Sequence, residues 1–181
     1  MIFKERKLKG LFIIEPTIFK DDRGYFFESF NKKKFELNTV ISVNFVQDNE
    51  SKSQKNVLRG LHFQNTPFAQ GKLVRVIQGS VLDVAVDLRK NSKTYGHHIK
   101  EIISAENKRM MYIPEGFAHG FLTLENNTIF SYKCTNYYHK ESEDCILYND
   151  PVLNIDWNIE SPILSEKDKL GKKFSSFVSK F

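Results

Sequence analysis

Short β-type runs recur along almost the whole chain, separated by turn residues, and no long stretch carries a helical period. The runs are Leu11–Ile14, Gly24–Phe30, Val43–Gln47, Val57–Gln64, Lys72–Ile77, Val81–Leu88, His98–Ile103, Arg109–Ile113, Phe117–Leu124 and Thr128–Tyr138. Only Asn31–Leu37 and Ser165–Leu170 read as helical. Many short strands at close spacing favour a sandwich or barrel over alternating β/α units. The expected fold is all-β, an antiparallel jelly-roll barrel with a few short flanking helices. At 181 residues, with no repeat or Gly/Pro/Ser-rich linker, the chain reads as one domain over residues 1–181.

Several strands carry groups that a plain core would reject. Val57-Leu58-Arg59-Gly60-Leu61-His62-Phe63-Gln64, Lys72 and Pro114-Glu-Gly116-Phe-Ala-His119-Gly120 set charged and polar side chains among apolar ones. Burying such groups is costly unless something pairs with them, so these strands are expected to line a ligand pocket. Strict alternation sends Arg59 and His62 to opposite faces. If both serve one pocket, Gly60 marks a bulge that brings them round. Alternation also puts Phe117, His119, Phe121 and Thr123 on one face, and Phe130, Tyr132, Cys134, Asn136 and Tyr138 on another. A tight turn at Gln78-Gly79 would pair Val74 with Asp83 and Lys72 with Ala85, leaving Lys72 diagonal to Asp83 on an inward face. A solvent-facing ion pair is the competing reading, as plain core tyrosines are for Tyr132 and Tyr138.

Composition narrows the function classes. The net charge is +5, but the lysines are scattered, with short clusters at Lys32-Lys33-Lys34 and near the end of the chain. Such clusters read as solvated faces, and a small anionic substrate suits the excess at least as well as nucleic acid. No apolar run has the length of a membrane span, and no signal peptide opens the chain. Cys134 and Cys145 form no CxxC pair and no disulfide framework. A cytoplasmic protein without nucleic-acid or membrane partners is expected.

The chemistry narrows further. Pro114-x-Gly116-x-x-His119 resembles half of the cupin metal signature, but Gln64 stands where a second histidine would be needed, so no metal site is assembled. No nucleophile elbow, P-loop or GxGxxG is present. Proton transfer remains. A histidine can hold or release a proton near neutral pH, a lysine can steady an enolate oxygen, and a tyrosine can return a proton from another side.

Taken together, these blocks resemble the dTDP-4-dehydrorhamnose 3,5-epimerases, cupin-fold sugar-nucleotide epimerases, from about Leu11 to Gly171. The matching segments include Asp21-Asp22-Arg23-Gly24-Tyr-Phe-Phe-Glu28, Phe45-Val-Gln47-Asp48-Asn49, Leu58–Gln64, Gln70-Gly-Lys72, Asp83-Val-Ala-Val-Asp87, Ile113–Phe121, Tyr132–Tyr138, Asn149-Asp150-Pro151 and Ile163–Asp168. The resemblance implies inversion at C3 and C5 of dTDP-4-dehydro-6-deoxy-D-glucose without metal or organic cofactor. The alternative is a 3-epimerase, or an isomerase of another 4-keto nucleotide sugar. It implies that His62 is the general base with Asp168 behind it, that Lys72 with Asp83 stabilises the enolate, and that Tyr132 is the general acid. Arg59 and His119 would hold the diphosphate or sugar, with Lys167 near by. Arg23, Glu28, Gln47 and Asn49 would surround the nucleotide, with Tyr138 stacked on the base and Glu143 beside it. A homodimer whose N-terminal strands pack on the partner is implied as well. Asn158, where the family often has proline, and the Asn65–Phe68 turn are small departures that remove no catalytic group.

Overall fold

The computed structural model describes residues 1–181, which form thirteen strands and two short α-helices. In chain order they are β1 (Ile2–Glu5), β2 (Phe12–Glu15), β3 (Phe19–Asp21), β4 (Gly24–Phe26), α1 (Lys32–Thr39), β5 (Gln47–Ser53), β6 (Leu58–Gln64) and β7 (Lys72–Gln78). They continue with β8 (Ser80–Asp87), β9 (His98–Ser104), β10 (Met110–Ile113), β11 (Phe117–Thr123), β12 (Thr128–Cys134), β13 (Glu143–Cys145) and α2 (Glu166–Lys169). One sheet runs β1-β2-β10-β7-β12-β5 and the other β13-β6-β11-β8-β9, while β3 and β4 make a separate hairpin. The strands pair antiparallel throughout both sheets, in the jelly-roll manner expected from many short strands.

Period-two alternation sorts the side chains into layers. Val74, Val76 and Phe130 from the six-stranded sheet meet Ala85, Phe117 and Phe121 from the five-stranded sheet in the space between them. The intervening residues Leu82, Val84, Val86, Ala118 and Leu122 face the other way, under Leu153, Ile155, Trp157 and Phe177 of the C-terminal segment. On the outer face of the six-stranded sheet, Phe12, Ile14, Leu73, Met110 and Tyr112 are covered by Phe35 of α1. Each large apolar side chain so buried contributes on the order of 1.5–3 kcal/mol. The sandwich is thus sealed on both outer faces, while one end of its interior is left to polar groups.

The expected tight turn at Gln78-Gly79 does not form a hairpin. β7 lies between β10 and β12, whereas β8 lies between β9 and β11 in the opposite sheet. Gly79, at φ +79°, carries the chain across, with Thr128 packed where a side chain would stand. Val74 therefore lies opposite Met111 and Tyr132 rather than Asp83, and Lys72 opposite Ile113 and Cys134 rather than Ala85. Both hydrogen-bonding edges of each strand are taken by other strands, β10 and β12 for β7 and β9 and β11 for β8, so neither has an edge free for the other. Adjacent runs joined by a glycine turn consequently become facing strands instead of paired ones.

Asp87 organises the loop after β8. Its buried carboxylate accepts from Arg89 Nε and Nη2 at 2.8 Å, Ser92 Oγ at 2.6 Å and Thr94 Oγ1 at 2.7 Å. Burial alone would raise its pKa, but these donors outweigh it and hold the acid at about 2. A depressed carboxylate pKa adds stability that is present above the ordinary value and lost as pH falls through the folded one. Asp87→Asn should accordingly cost about 2 kcal/mol at neutral pH and flatten the decline in denaturant-measured stability between about pH 4 and 2. An unchanged acid limb would contradict this.

Candidate active site

The site starts from an irregularity in β6. His62 pairs with His119 and Arg59 with Phe121, so three steps along β6 match two along β11. The extra residue sits at Gly60-Leu61. Gly60 has φ +136°, a region side chains disfavour, and a β-carbon there would run into the Gly120 backbone. Beyond the bulge the alternation is reset. Leu58, Leu61 and Phe63 pack outward in one apolar cluster, while Arg59 and His62 line one cavity. The bulge expected at Gly60 is therefore present.

Behind His62 stands Asp168, only 2% exposed. It belongs to a reciprocal cap at the start of α2: Ser165 Oγ donates to Asp168 Oδ2 at 2.5 Å, and Asp168 N donates to Ser165 Oγ at 3.2 Å. Gly60 N adds a 3.3 Å bond to Oδ1. That same oxygen lies 2.6 Å from His62 Nε2. It sits out of line with the ring N–H, so at this ring orientation the contact is electrostatic more than directional. Burial would raise the Asp168 acid, but His62, Ser165 and Gly60 together hold it at about 2. The group is an anion across the working range of a histidine, and its contact with Nε2 leaves Nδ1 for a ligand.

The facing wall comes from the other sheet. Lys72, first residue of β7, lies with its ammonium 5.8 Å from the ring centre of Tyr132 on β12. Lys72 keeps some surface toward the cavity, yet burial lowers its pKa, opposed by Cys134, Asp83 and Glu143. Burial raises the Tyr132 phenol above its ordinary value, so the hydroxyl stays protonated. His119 Nε2 lies 3.0 and 3.1 Å from the two oxygens of Asp83, and both residues are buried. The Asp83 carboxylate is thus engaged by His119, and it acts on Lys72 through charge across the interior rather than by a closed ion pair.

Two cavities meet at these groups. One of about 150 Å³ is lined by Glu50, Ser51, Arg59, His62, Lys72, His119, Phe121 and Tyr132. The other, about 320 Å³, includes Gln47, Asn49, Gln70, Tyr138 and Glu143, and it shares His62, Lys72 and Tyr132 with the first. Tyr138 N donates to Gln47 Oε1 at 2.9 Å, and Tyr138 Oη donates to Glu143 Oε2 at 2.7 Å. Lys167 is ion-paired with Glu143 at the rim. Arg23 and Glu28 lie outside both cavities. Arg23 is paired with Asp21 at the tip of the β3–β4 hairpin, and Glu28 with Lys34. Gln64 donates to the carbonyls of Phe68 and Tyr137 and accepts from His139 N, which occupies its amide in holding loops.

Ser51 was not anticipated, and its buried Oγ has no partner within the chain. Nor was Gln70, whose amide donates to Asn136 O at 2.8 Å. A signal for the first existed: Gln47, Asn49, Ser51 and Ser53 recur at period two between charged or exposed residues.

The Ser165 cap makes the Asp168 anion testable. Ser165→Ala removes one hydrogen bond to Asp168 Oδ2 and the helix cap, and it should cost about 1 kcal/mol of stability. The Asp168 carboxyl, followed by its carbon chemical shift through an acid titration, should move up from about 2. A value that stays put would mean that Ser165 contributes nothing to the charge state.

Comparison with known proteins identifies the family of the whole chain. A family model described as dTDP-4-dehydrorhamnose 3,5-epimerase matches residues 5–176. The dTDP-4-dehydrorhamnose 3,5-epimerase of Shigella flexneri is 53% identical over 168 residues, covering 93% of each chain. The crystal structure of the Elizabethkingia anophelis enzyme of that name superposes with a TM-score of 0.93 at 52% identity, covering 97% of both chains. A dTDP-6-deoxy-D-glucose-3,5-epimerase from Legionella pneumophila, solved with dTDP-4-keto-L-rhamnose, gives a TM-score of 0.93 at 49% identity over 98% of this chain and 94% of that one. With residues 5–176 matched and half of the aligned positions identical, this chain belongs to the dTDP-4-dehydrorhamnose 3,5-epimerase family.

Proposed function

We propose that this protein converts dTDP-4-dehydro-6-deoxy-D-glucose to dTDP-4-dehydro-L-rhamnose by inverting C3 and C5. The observation that carries the reading is the junction of the two cavities, where His62, Lys72 and Tyr132 are common to both. A hexose ring set there has an imidazole on one wall and, on the other, a phenol beside an ammonium.

The C4 ketone acidifies the C–H bonds on either side of it. His62, with the Asp168 anion behind it, takes a proton from one such carbon. The electron pair moves onto the C4 oxygen, where Lys72 meets the developing enolate charge in a poorly solvated site. Tyr132, protonated because burial raises its pKa, returns a proton to the opposite face, and the stereocentre is inverted. The same groups then act at the second carbon. Only protons move, so no redox partner enters the balance. His119, fixed by Asp83, and Arg59 at the cavity mouth offer donors to the sugar and diphosphate. Gln47, Asn49 and Tyr138 line the larger cavity, in which the thymidine would lie.

In deuterated water the substrate should acquire deuterium at both carbons. His62→Ala should lower that exchange by about 10²–10⁴-fold while retaining dTDP affinity. Exchange at C3 alone would identify a 3-epimerase, exchange at neither carbon would end the proposal, and normal exchange by the variant would remove His62 as the base.

The assembly belongs to the same reading. Phe19, Tyr25 and Phe26 on the β3–β4 hairpin are each more than half exposed, and Arg23 beside them lies outside the two cavities that meet at His62 in its own chain. In a homodimer the hairpin would cover the partner's larger cavity and bring Arg23 to the nucleotide. Arg23→Ala should then raise KM by about tenfold or more, the worth of a charged hydrogen bond, with kcat little changed. Sedimentation giving a monomer of full activity would exclude this arrangement.

A further inference from the structure

β13 borders β6 on the edge away from β11, and its register sets Cys145 opposite His62. The neighbouring pair, Leu61 and Ile146, exchanges both backbone hydrogen bonds at 3.2 and 3.0 Å. Cys145 and His62 therefore form the non-hydrogen-bonded kind of pair, which brings side chains on one face closer together. Asp168 joins them from α2. Cys145 Sγ, a ring nitrogen of His62 and a carboxylate oxygen of Asp168 all lie within 4.8 Å of one another. The thiol is buried, its one hydrogen bond is a 3.4 Å contact to Ile146 O, and the proton transfers described above do not use it.

We propose that His62, Cys145 and Asp168 form an inhibitory binding site for a borderline-soft divalent cation, Zn²⁺ or Cd²⁺. One nitrogen, one sulfur and one oxygen are the donor types Zn²⁺ takes, and a thiolate selects against Mg²⁺ and Ca²⁺. Metal–donor distances of about 2.0–2.3 Å put tetrahedral donors roughly 3.3–3.8 Å apart. The present cluster reaches this by opening the 2.6 Å His62–Asp168 contact and drawing in the wider separations, all of them within 4.8 Å. The fourth position would face the cavity through the half-buried His62 and take a water. This is a different set from the one implied by the Pro114–His119 half-signature, since His119 is occupied by Asp83 and Gln64 by loop carbonyls.

The binding step balances simply. The dication displaces the thiol proton to solvent, the sulfur, nitrogen and carboxylate oxygen each donate an electron pair, and one positive charge is added to the site. Burial, with Asp168 next in effect, pushes the free thiol up to about 12, and a bound dication reverses that order. Because one proton leaves, binding should tighten by up to tenfold per pH unit. Lys167 on α2 opposes the incoming cation, while Asp144 and Glu143 on β13 favour it; Lys72 faces the same cavity as His62. Capture breaks the His62–Asp168 contact and draws electron density from the ring. Only this inhibitory consequence rests on His62 being the base.

The test uses Co²⁺ as a spectroscopic probe on the metal-free protein. A thiolate-to-cobalt charge-transfer band should appear in the parent chain and in Cys134→Ser, disappear in Cys145→Ala, and be displaced by Zn²⁺. Cys145→Ala should keep solvent exchange in metal-free buffer and lose about tenfold or more of its sensitivity to Zn²⁺. No band in the parent, or Zn²⁺ sensitivity unchanged in Cys145→Ala, overturns the site. A band together with exchange that Zn²⁺ leaves untouched would uphold cation capture and instead remove His62 from the proton transfer.

Discussion

The site hangs on the closeness of two backbones, β6 and β11, where Gly60 meets Gly120. No side chain fits between them, and the resulting bulge gives β6 one residue more than its partner. That single insertion lets Arg59 and His62 share a cavity while Leu58, Leu61 and Phe63 stay in the outer core. A regular strand would have to sacrifice one set or the other, because side chains alternate strictly. The glycines are there because the fold brings these two strands within van der Waals contact where the cavity wall turns.

Polar burial inside the barrel follows a consistent logic. Asp168 and Asp83 are nearly or wholly inaccessible, and each is matched to a histidine: His62 in one case, His119 in the other. Asp83 holds the His119 ring by hydrogen bonding, Asp168 meets His62 chiefly through charge, and the two histidines form one β6–β11 pair that the ladder sets side by side. Lys72 is treated differently. It feels Asp83, Glu143 and Cys134 without a carboxylate closing on it, so a desolvated cation is left for a ligand. That is the arrangement an enolate requires, since an ammonium already neutralised by a carboxylate would offer it little. The cysteines lie beside these groups, Cys134 opposite Lys72 and Cys145 opposite His62. Each thiol is therefore set beside one of the titratable groups that line the cavities.

Much of this was readable residue by residue. The runs at Val57–Gln64, Lys72–Ile77, Val81–Leu88, His98–Ile103 and Phe117–Leu124 became strands within a residue or so of their expected ends, because apolar alternation is a local signal. Val43–Gln47 did not. The strand there is Gln47–Ser53, whose Gln, Asp, Asn, Glu, Ser, Lys and Ser look like a loop by composition. It is a strand because β12 offers a ladder along its whole length and its inward residues line a cavity instead of a core. β1, β3 and β13 were likewise invisible, being short and carried by their partners.

Local chemistry alone determined the β class, the turn glycines and the misfit of charged residues in apolar strands. Those are properties of adjacent residues and of side-chain desolvation. Which strands sit beside which, and hence that Lys72 and Asp83 face each other across the interior rather than along one hairpin, was decided only by the tertiary structure. So was the meeting of His62 with Asp168, 106 positions later in the chain. The reason is that backbone hydrogen bonds saturate: β10 and β12 claim the two edges of β7, and β9 and β11 those of β8, a competition that no window on neighbouring residues can register.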